Sequence, residues 1–118
     1  MPSSAQQRDE VYEQLLFISR QAFAESTFEI AYHTLCAAMW RASDLDELPL
    51  LRALLQEAER QGKYIDNTYP AHRLSSSSAR SRGHESVYSA LQREIGAHIR
   101  VHESQGLLEE LKRQREQG

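Results

Sequence analysis

Apolar residues recur at helical spacing through most of the chain. In the first segment they form one helix face, with intervals of four, three and four residues between Val11, Leu15, Ile18 and Ala22. Ser4 and Gln7 have the spacing of a capping box, in which two side chains bond the free backbone N–H groups at a helix start. The pattern therefore predicts a first helix over residues 5–23.

The second segment repeats the same intervals. Its stripe is formed by Phe28, Tyr32, Leu35 and Met39. The small side chains of Ala31, Ala38 and Ala42 flank this stripe and would let neighbouring helices approach closely. Ser26 and Glu29 again have capping-box spacing, so a second helix is predicted over residues 27–42.

A third helix is predicted over residues 46–61. Its stripe is formed by Leu48, Leu51, Leu55 and Ala58. Pro49 fits only the first turn of a helix because proline lacks a backbone N–H, and Asp44 or Asp46 can supply the cap. Gly62 has the position of the residue that follows a helix end. Few residues separate this helix from the second, so the two are expected to form an antiparallel hairpin.

Helical periodicity stops between residues 66 and 83. Serines 75–78 favour local bonds to the backbone, which predicts a long irregular loop rich in serine and arginine. A fourth helix is predicted over residues 84–105, with a stripe formed by Tyr88, Leu91, Ile95, His98 and His102. Gly106 predicts a break, followed by a short helix over residues 107–115.

Four amphipathic helices without strand-like alternation predict an all-α protein, organised like a four-helix bundle in a single domain over residues 1–118. A chain of 118 residues is long enough to bury a core without metal or disulfide bonds. The content of 40% hydrophobic and 26% charged residues is that of a globular protein and excludes a disordered one.

Charge and cysteine content narrow the expected environment. The net charge of −3 is too small for a general attraction to nucleic acid or anionic membranes. Cys36 is the only cysteine, which excludes an internal disulfide and favours a reducing compartment. No apolar run approaches the roughly 20 residues of a membrane span, and the first ten residues lack the features of a signal peptide. A cytoplasmic protein without membrane contact is expected.

Two groups of residues have the chemistry of metal ligands. Glu94, His98 and His102 are spaced four residues apart, which places them on one helix face, where two imidazoles can hold zinc or a similar divalent ion. The glutamate of a hydrolytic H-E-x-x-H motif is absent, and half-buried, hydrogen-bonded histidines are the alternative. His33 and Cys36 form a second such pair, although a lone cysteine beside a core stripe is typically a small buried apolar residue. No cofactor is otherwise implied.

Basic residues are concentrated around the predicted loop. The segment from Arg60 to His84 has a charge of +4, and the rest of the chain sums to −7. Five side chains supply the positive charge: Arg60, Lys63, Arg73, Arg80 and Arg82. Arginine and serine together suit phosphate groups, so binding of a phosphate-bearing ligand or of nucleic acid is one hypothesis. The alternative is a solvated loop whose arginines pair with acidic helix faces.

Several apolar residues project away from the predicted core stripes and are interface candidates: Phe17, Ile30, Leu107, Leu108 and Leu111. Apolar residues outside the stripes of several helices are hard to bury within one bundle. No motif for catalysis accompanies them, so a protein–protein interaction or adaptor domain is expected rather than an enzyme. Its expected partner is another protein or a second copy of the chain in a homodimer.

Overall fold

The computed structural model describes residues 9–117, and within that range it is all-helical, without strands. The all-α class predicted from the sequence is therefore confirmed. Five helices follow one another: α1 (Glu10–Ala24), α2 (Phe28–Asp44), α3 (Leu48–Thr68), α4 (Ser76–Ser81) and α5 (Val87–Gln117). The main packing pairs are α1 with α2 and α3 with α5, and α2 also contacts both α3 and α5.

Helix α1 begins at Glu10 because Asp9 caps it. The Asp9 carboxylate accepts a hydrogen bond from the Tyr12 backbone N–H at 2.8 Å, and Arg41 of α2 donates to the same carboxylate at 2.8 Å. At the other end of the α1–α2 pair, the Thr27 hydroxyl donates to the Ala22 carbonyl. The two helices therefore run antiparallel. The predicted start near residue 5 is replaced by this cap, and the Ser4–Gln7 capping box lies outside the described residues.

The buried face of α1 differs from the predicted stripe. Val11 and Ile18 are exposed, Leu15 is half-buried, and Ala22 is buried as predicted. The other buried positions are Tyr12, Leu16, Ser19 and Phe23. The Tyr12 hydroxyl donates to the Leu50 carbonyl at 2.9 Å, and the Ser19 hydroxyl donates to the Ala31 carbonyl at 2.8 Å. These bonds satisfy the polar atoms of Tyr12 and Ser19, so a helix face that carries two hydroxyls can be buried. A stripe defined by apolar residues alone therefore placed the buried face one position too early at Val11, Leu15 and Ile18.

The starts of α2 and α3 also differ from the prediction. Ser26 has a left-handed backbone with φ of 64°, so the Ser26–Glu29 capping box does not form, and Thr27 is the N-cap. Glu47 precedes α3 as its N-cap in place of Asp44 or Asp46. Asp46 has φ of 57° and turns the chain between α2 and α3.

Helix α3 continues through Gly62 to Thr68, seven residues beyond the predicted end at 61. Gly62 is buried inside the helix because α5 packs closely there. A Cβ atom at Gly62 would lie 3.0 Å from the Cβ of Tyr88. The glycine therefore permits close approach of two helices and does not end one.

The segment predicted as an irregular loop over residues 66–83 contains the end of α3 and the short helix α4. Ser75 is buried and caps α4, since its hydroxyl accepts from the Ser78 N–H at 3.0 Å and donates to the Pro70 carbonyl at 2.6 Å. Asp66 accepts two bonds of 2.8 Å from the backbone N–H and the hydroxyl of Ser76. The serines thus start a helical turn, which is the opposite of the predicted effect.

Helix α5 is a single helix of 31 residues that runs through Gly106, so the predicted break there is wrong. One glycine costs a helix about 1 kcal/mol, too little to divide a helix with good helix-forming residues on both sides. Tyr88, Leu91 and Ile95 are buried, as the predicted stripe requires, and His98 and His102 continue it half-buried. At ~1.5 Å per residue, α5 is about 46 Å long.

A polar network lies within the core and joins all four long helices. Gln61 of α3 donates to Ser19 of α1 at 3.1 Å and to Glu57 at 2.9 Å, and it accepts from the Tyr88 hydroxyl of α5 at 2.7 Å. Ser19 in turn bonds Ala31 of α2. No buried side-chain nitrogen or oxygen in the described residues lacks a partner. The polar network, defined as Ser19, Glu57, Gln61 and Tyr88, is therefore fully satisfied.

Glu57 makes the stability of the protein dependent on pH. Burial acts to raise the pKa of its carboxyl, but hydrogen bonds from Arg60 and Gln61 outweigh burial and hold the pKa below the ordinary value of 4.5. A lowered folded-state pKa adds stability above pH 4.5, and this contribution is lost as the pH falls through the folded-state pKa.

We therefore expect Glu57→Gln to be less stable than wild type at neutral pH, with the difference shrinking in acid. Urea unfolding at pH values on either side of 4.5 measures this difference. A gap between the two proteins that stays constant with pH would contradict the assignment.

Candidate functional site

The five basic residues of the predicted binding loop are largely engaged within the protein. Arg60 bonds both carboxylate oxygens of Glu57, at 3.2 and 2.5 Å, and Arg73 forms an ion pair with Glu29. Arg82 donates to the Ser78 hydroxyl at 2.9 Å and to the Arg73 carbonyl at 3.0 Å. Lys63 lies beside a shallow cleft between α3 and α5, and Arg80 is exposed on α4. The pairing of Arg60 and Arg73 with acidic residues on helices agrees with the second alternative for this segment, in which its arginines pair with acidic helix faces. Binding of a phosphate-bearing ligand or of nucleic acid by the segment stays a prediction.

The end of α5 extends beyond the helices that cover its first half. From Glu103 to Gln117 every residue is exposed except Glu110, which is half-buried. We call residues 103–117 the α5 extension. At its base, Arg52 of α3 donates to the Glu103 carboxylate at 2.7 Å. The extension carries three of the five interface candidates, and Leu107, Leu108 and Leu111 are 61%, 65% and 49% exposed.

The other two interface candidates lie elsewhere. Phe17 on α1 and Ile30 near the start of α2 are 65% and 53% exposed. The structure thus exposes all five candidates but divides them between the α1–α2 pair and the α5 extension. Only the extension combines several of them within one helical turn, since residues three and four apart share a helix face.

A second arrangement of interest lies where α2 ends against α5. The hydroxyl oxygen of Ser43 is 2.9 Å from Nδ1 of His98 and 3.1 Å from Nε2 of His102. The other ring nitrogen of His102, Nδ1, bonds the carboxylate of Asp46 in the α2–α3 turn. We call Ser43, Asp46, His98 and His102 the Ser43 cluster. Its members come from two helices and one turn, and Trp40 packs against the His98 ring with centroids 5.0 Å apart.

The hydrogen bonds of the Ser43 cluster define one arrangement of protons for the neutral imidazoles. An ionised Asp46 only accepts, so Nδ1 of His102 carries the proton and its Nε2 is an acceptor. The single hydroxyl proton of Ser43 is then donated to Nε2 of His102. His98 must in turn donate from Nδ1 to the Ser43 oxygen. The result is a directed chain of hydrogen bonds in which the Ser43 hydroxyl points at an unprotonated imidazole nitrogen.

The Ser43 cluster borders an open groove on the surface of α5. Its lining includes Ala97 and Val101 beside Ser43, and it continues past Gln105 towards Leu108 and the α2–α3 turn. The part next to Ser43 has a volume of about 390 Å³. Gln105 lines every section of the groove, including the part next to Ser43.

The histidines predicted to bind a metal ion form hydrogen bonds within the protein instead. His98 and His102 do converge, but on the Ser43 hydroxyl. Residues 9–117 contain no group of three histidine, cysteine, aspartate or glutamate side chains placed to hold a metal ion. For the second pair, burial raises the pKa of the Cys36 thiol, which favours the unreactive thiol form over the thiolate. His33 packs edge-on against the Tyr32 ring, with centroids 5.0 Å apart.

Sequence reasoning missed Ser43 as a functional candidate and assigned Asp46 only to helix capping. Neither residue belongs to a motif, and His102 lies 59 positions after Ser43. The one signal in the sequence was the histidine pair at a spacing of four residues.

Comparisons with known proteins add no assignment to this geometry. No family model, no curated protein and no solved structure matches the chain. Among the described helices, none is both long enough and apolar enough to cross a membrane.

Proposed function

We propose that this protein is a small helical interaction module, an adaptor with a bundle-like body that forms a homodimer through the α5 extension. The observation that carries the proposal is the exposed apolar turn of Leu107, Leu108 and Leu111 on a helix that has left its own core. Exposed apolar residues grouped in this way favour a protein partner because their burial removes unfavourable contact with water.

The charges of the extension favour a second copy of the same chain as that partner. Residues 103–110 contain three acidic residues and no basic one, whereas residues 112–115 contain three basic residues and no acidic one. Two extensions packed antiparallel place the acidic part of each opposite the basic part of the other. A parallel pair would place like charges together. A twofold axis relating two antiparallel helices is also the commonest symmetry of soluble dimers.

The test is the oligomeric state of the full chain after Leu108→Glu and Leu111→Glu substitutions. Sedimentation should give a mass of twice 13.6 kDa for wild type and 13.6 kDa for the variant. Buried glutamates without partners should weaken the dimer by at least about 100-fold in Kd. Phe17→Glu is the matched control, as it changes an equally exposed apolar residue on α1 and should leave the dimer intact.

Charge reversal tests the antiparallel arrangement. A variant with Glu109→Lys and Glu110→Lys should dimerise poorly with itself, as should a variant with Lys112→Glu and Arg113→Glu. An equimolar mixture of the two should form heterodimers. A monomeric wild-type protein, or a dimer that Phe17→Glu disrupts and the leucine substitutions do not, would contradict the proposal.

A further inference from the structure

We propose that the Ser43 cluster is an acyl-transfer site that hydrolyses small carboxylic esters, with the Ser43 hydroxyl as the nucleophile. The reacting groups of this proposal lie outside the proposed dimer interface, although Leu108 of the α5 extension also lines the groove beside them. The proposal rests on a serine hydroxyl 3.1 Å from an acceptor nitrogen of His102, whose other nitrogen is held by the Asp46 carboxylate. Nucleophile, base and orienting carboxylate in hydrogen-bonded order are the three parts from which serine hydrolases on unrelated folds are built.

His102 acts as the base and then as the acid of the reaction. As the Ser43 oxygen attacks the ester carbonyl carbon, Nε2 of His102 takes the hydroxyl proton. His102 then gives this proton to the departing alcohol oxygen, which leaves the acyl group bound to Ser43. A water molecule attacks the acyl-serine while His102 takes one of its protons. His102 then gives this proton to the departing Ser43 oxygen, which releases the carboxylic acid and restores the Ser43 hydroxyl. No oxidant, reductant or other reactant is needed.

The surroundings of His102 stabilise the imidazolium that forms during attack. The Asp46 carboxylate bonds its Nδ1, and Ser43 lies in the last turn of α2, where the carbonyl end of the helix favours positive charge. The His102 side chain is only 10% exposed, whereas the Asp46 side chain is 75% exposed, so water screens the Asp46–His102 pair in part. His98, donating to the Ser43 oxygen, keeps the hydroxyl proton directed at His102.

The groove beside Ser43 sets the class of substrate. Ala97, Val101 and Leu108 give it an apolar wall that suits a short acyl chain. Gln105 lines the same groove, and its carboxamide is the group assigned to donate a hydrogen bond to the carbonyl oxygen as charge develops there. Asp46, Glu47 and Glu109 line the mouth near the α2–α3 turn, which disfavours anionic substrates. Neutral esters of short carboxylic acids therefore fit best.

The experiment uses two probes on the full chain: a neutral alkyl fluorophosphonate and p-nitrophenyl acetate. Attack of the Ser43 oxygen on phosphorus forms an O–P bond and releases fluoride, while His102 takes the proton. Intact mass and peptide mapping should show one phosphonyl group per chain on Ser43, and the acetate ester should acetylate the same residue. His102→Gln should slow phosphonylation by about 10²–10⁴-fold, the usual contribution of a positioned base.

The matched control is Ser77→Ala, an exposed serine on α4 that does not line the groove, which should keep the wild-type labelling rate. Ser43→Ala should abolish labelling and leave the dimer unchanged, which separates this proposal from the proposed function. Absence of labelling at Ser43 in folded wild-type protein, or labelling that persists at the wild-type rate in His102→Gln, would overturn the proposal.

Asp46 is a positioning residue, and Asp46→Asn tests its role without changing the shape of the turn. Asparagine tolerates the left-handed backbone at this position, where φ is 57°. The labelling rate should fall at least about tenfold, since loss of a carboxylate that orients a catalytic histidine can cost up to about 10⁴-fold. Nitrogen-detected NMR of His102 should also show loss of the preference for the proton on Nδ1. An unchanged tautomer and rate would refute this role.

Discussion

Replacing Gln61 with leucine is expected to lower the free energy of unfolding by about 3 kcal/mol, because a single side chain serves three buried partners. Leucine has a similar volume but leaves the Tyr88 hydroxyl without its acceptor and Ser19 without its donor. It also removes one of the donors to Glu57, which keeps its bonds from Arg60. Urea unfolding measures the loss. Gln56→Leu is the control, because Gln56 is exposed on the same helix and its substitution should change stability by less than about 0.5 kcal/mol.

A double-mutant cycle with Tyr88→Phe separates the lost hydrogen bond from changes in packing. Tyr88→Phe removes the donor and leaves the Gln61 carbonyl oxygen without a hydrogen bond. Each single variant therefore loses stability in part because the remaining partner has a buried polar atom that is unsatisfied. The double variant removes both groups and should lose at least about 1 kcal/mol less than the sum of the single variants. Strict additivity would mean that the Gln61–Tyr88 bond does not couple α3 to α5.

Gly62→Leu is expected to destabilise the protein by about 3 kcal/mol, although leucine is the better helix former. The reason is the 3.0 Å approach of the Tyr88 Cβ, an atom attached directly to the α5 backbone and unable to move aside by a rotamer change. Even Gly62→Ala should cost about 1 kcal/mol.

Gly106→Ala is expected to have the opposite effect on stability. Nothing lies within 4 Å of a Cβ atom at Gly106, so alanine there should act only through helix propensity and stabilise α5 by about 0.5–1 kcal/mol. Thermal unfolding of the two alanine variants should thus give shifts of opposite sign. A stabilising Gly62→Ala would show that α3 and α5 can separate slightly without loss of packing.

Periodicity was sufficient to predict the helical class and the buried faces of α2 and of the first half of α5. It failed on α1 because burial there depends on hydroxyls that find carbonyl acceptors on other helices, as Ser19 does with Ala31. It also failed at Gly62 and Gly106, which it treated as helix ends. The sequence does not distinguish a glycine that ends a helix from one that permits close packing or one that lies exposed within a helix. The presence or absence of a neighbouring helix determines which of these roles the glycine has.

The candidate sites were predictable to different degrees. Spacing placed Leu107, Leu108 and Leu111 outside the stripe of α5, and they are exposed as expected. Their exposure in the structure has a further cause, because no other helix covers the extension and the positions that continue the stripe there are exposed as well. For the histidines, spacing correctly placed His98 and His102 on one face. The partners that give them a chemical role come from α2 and the α2–α3 turn, and the packing of α2 against α5 brings Ser43 to them.

Because α5 is one continuous helix, its packed first half and its exposed extension differ in local stability within the same element. Opening its first half requires the core around Tyr88 and Ile95 to come apart, so that part opens only with the whole protein. The extension has no such support, and a free helix of about 15 residues is marginal in water. We therefore expect its local unfolding to begin at the C-terminus and to stop near His102, where packing against α2 begins. Binding of the partner proposed above would add order to the extension, which its own fold supports least.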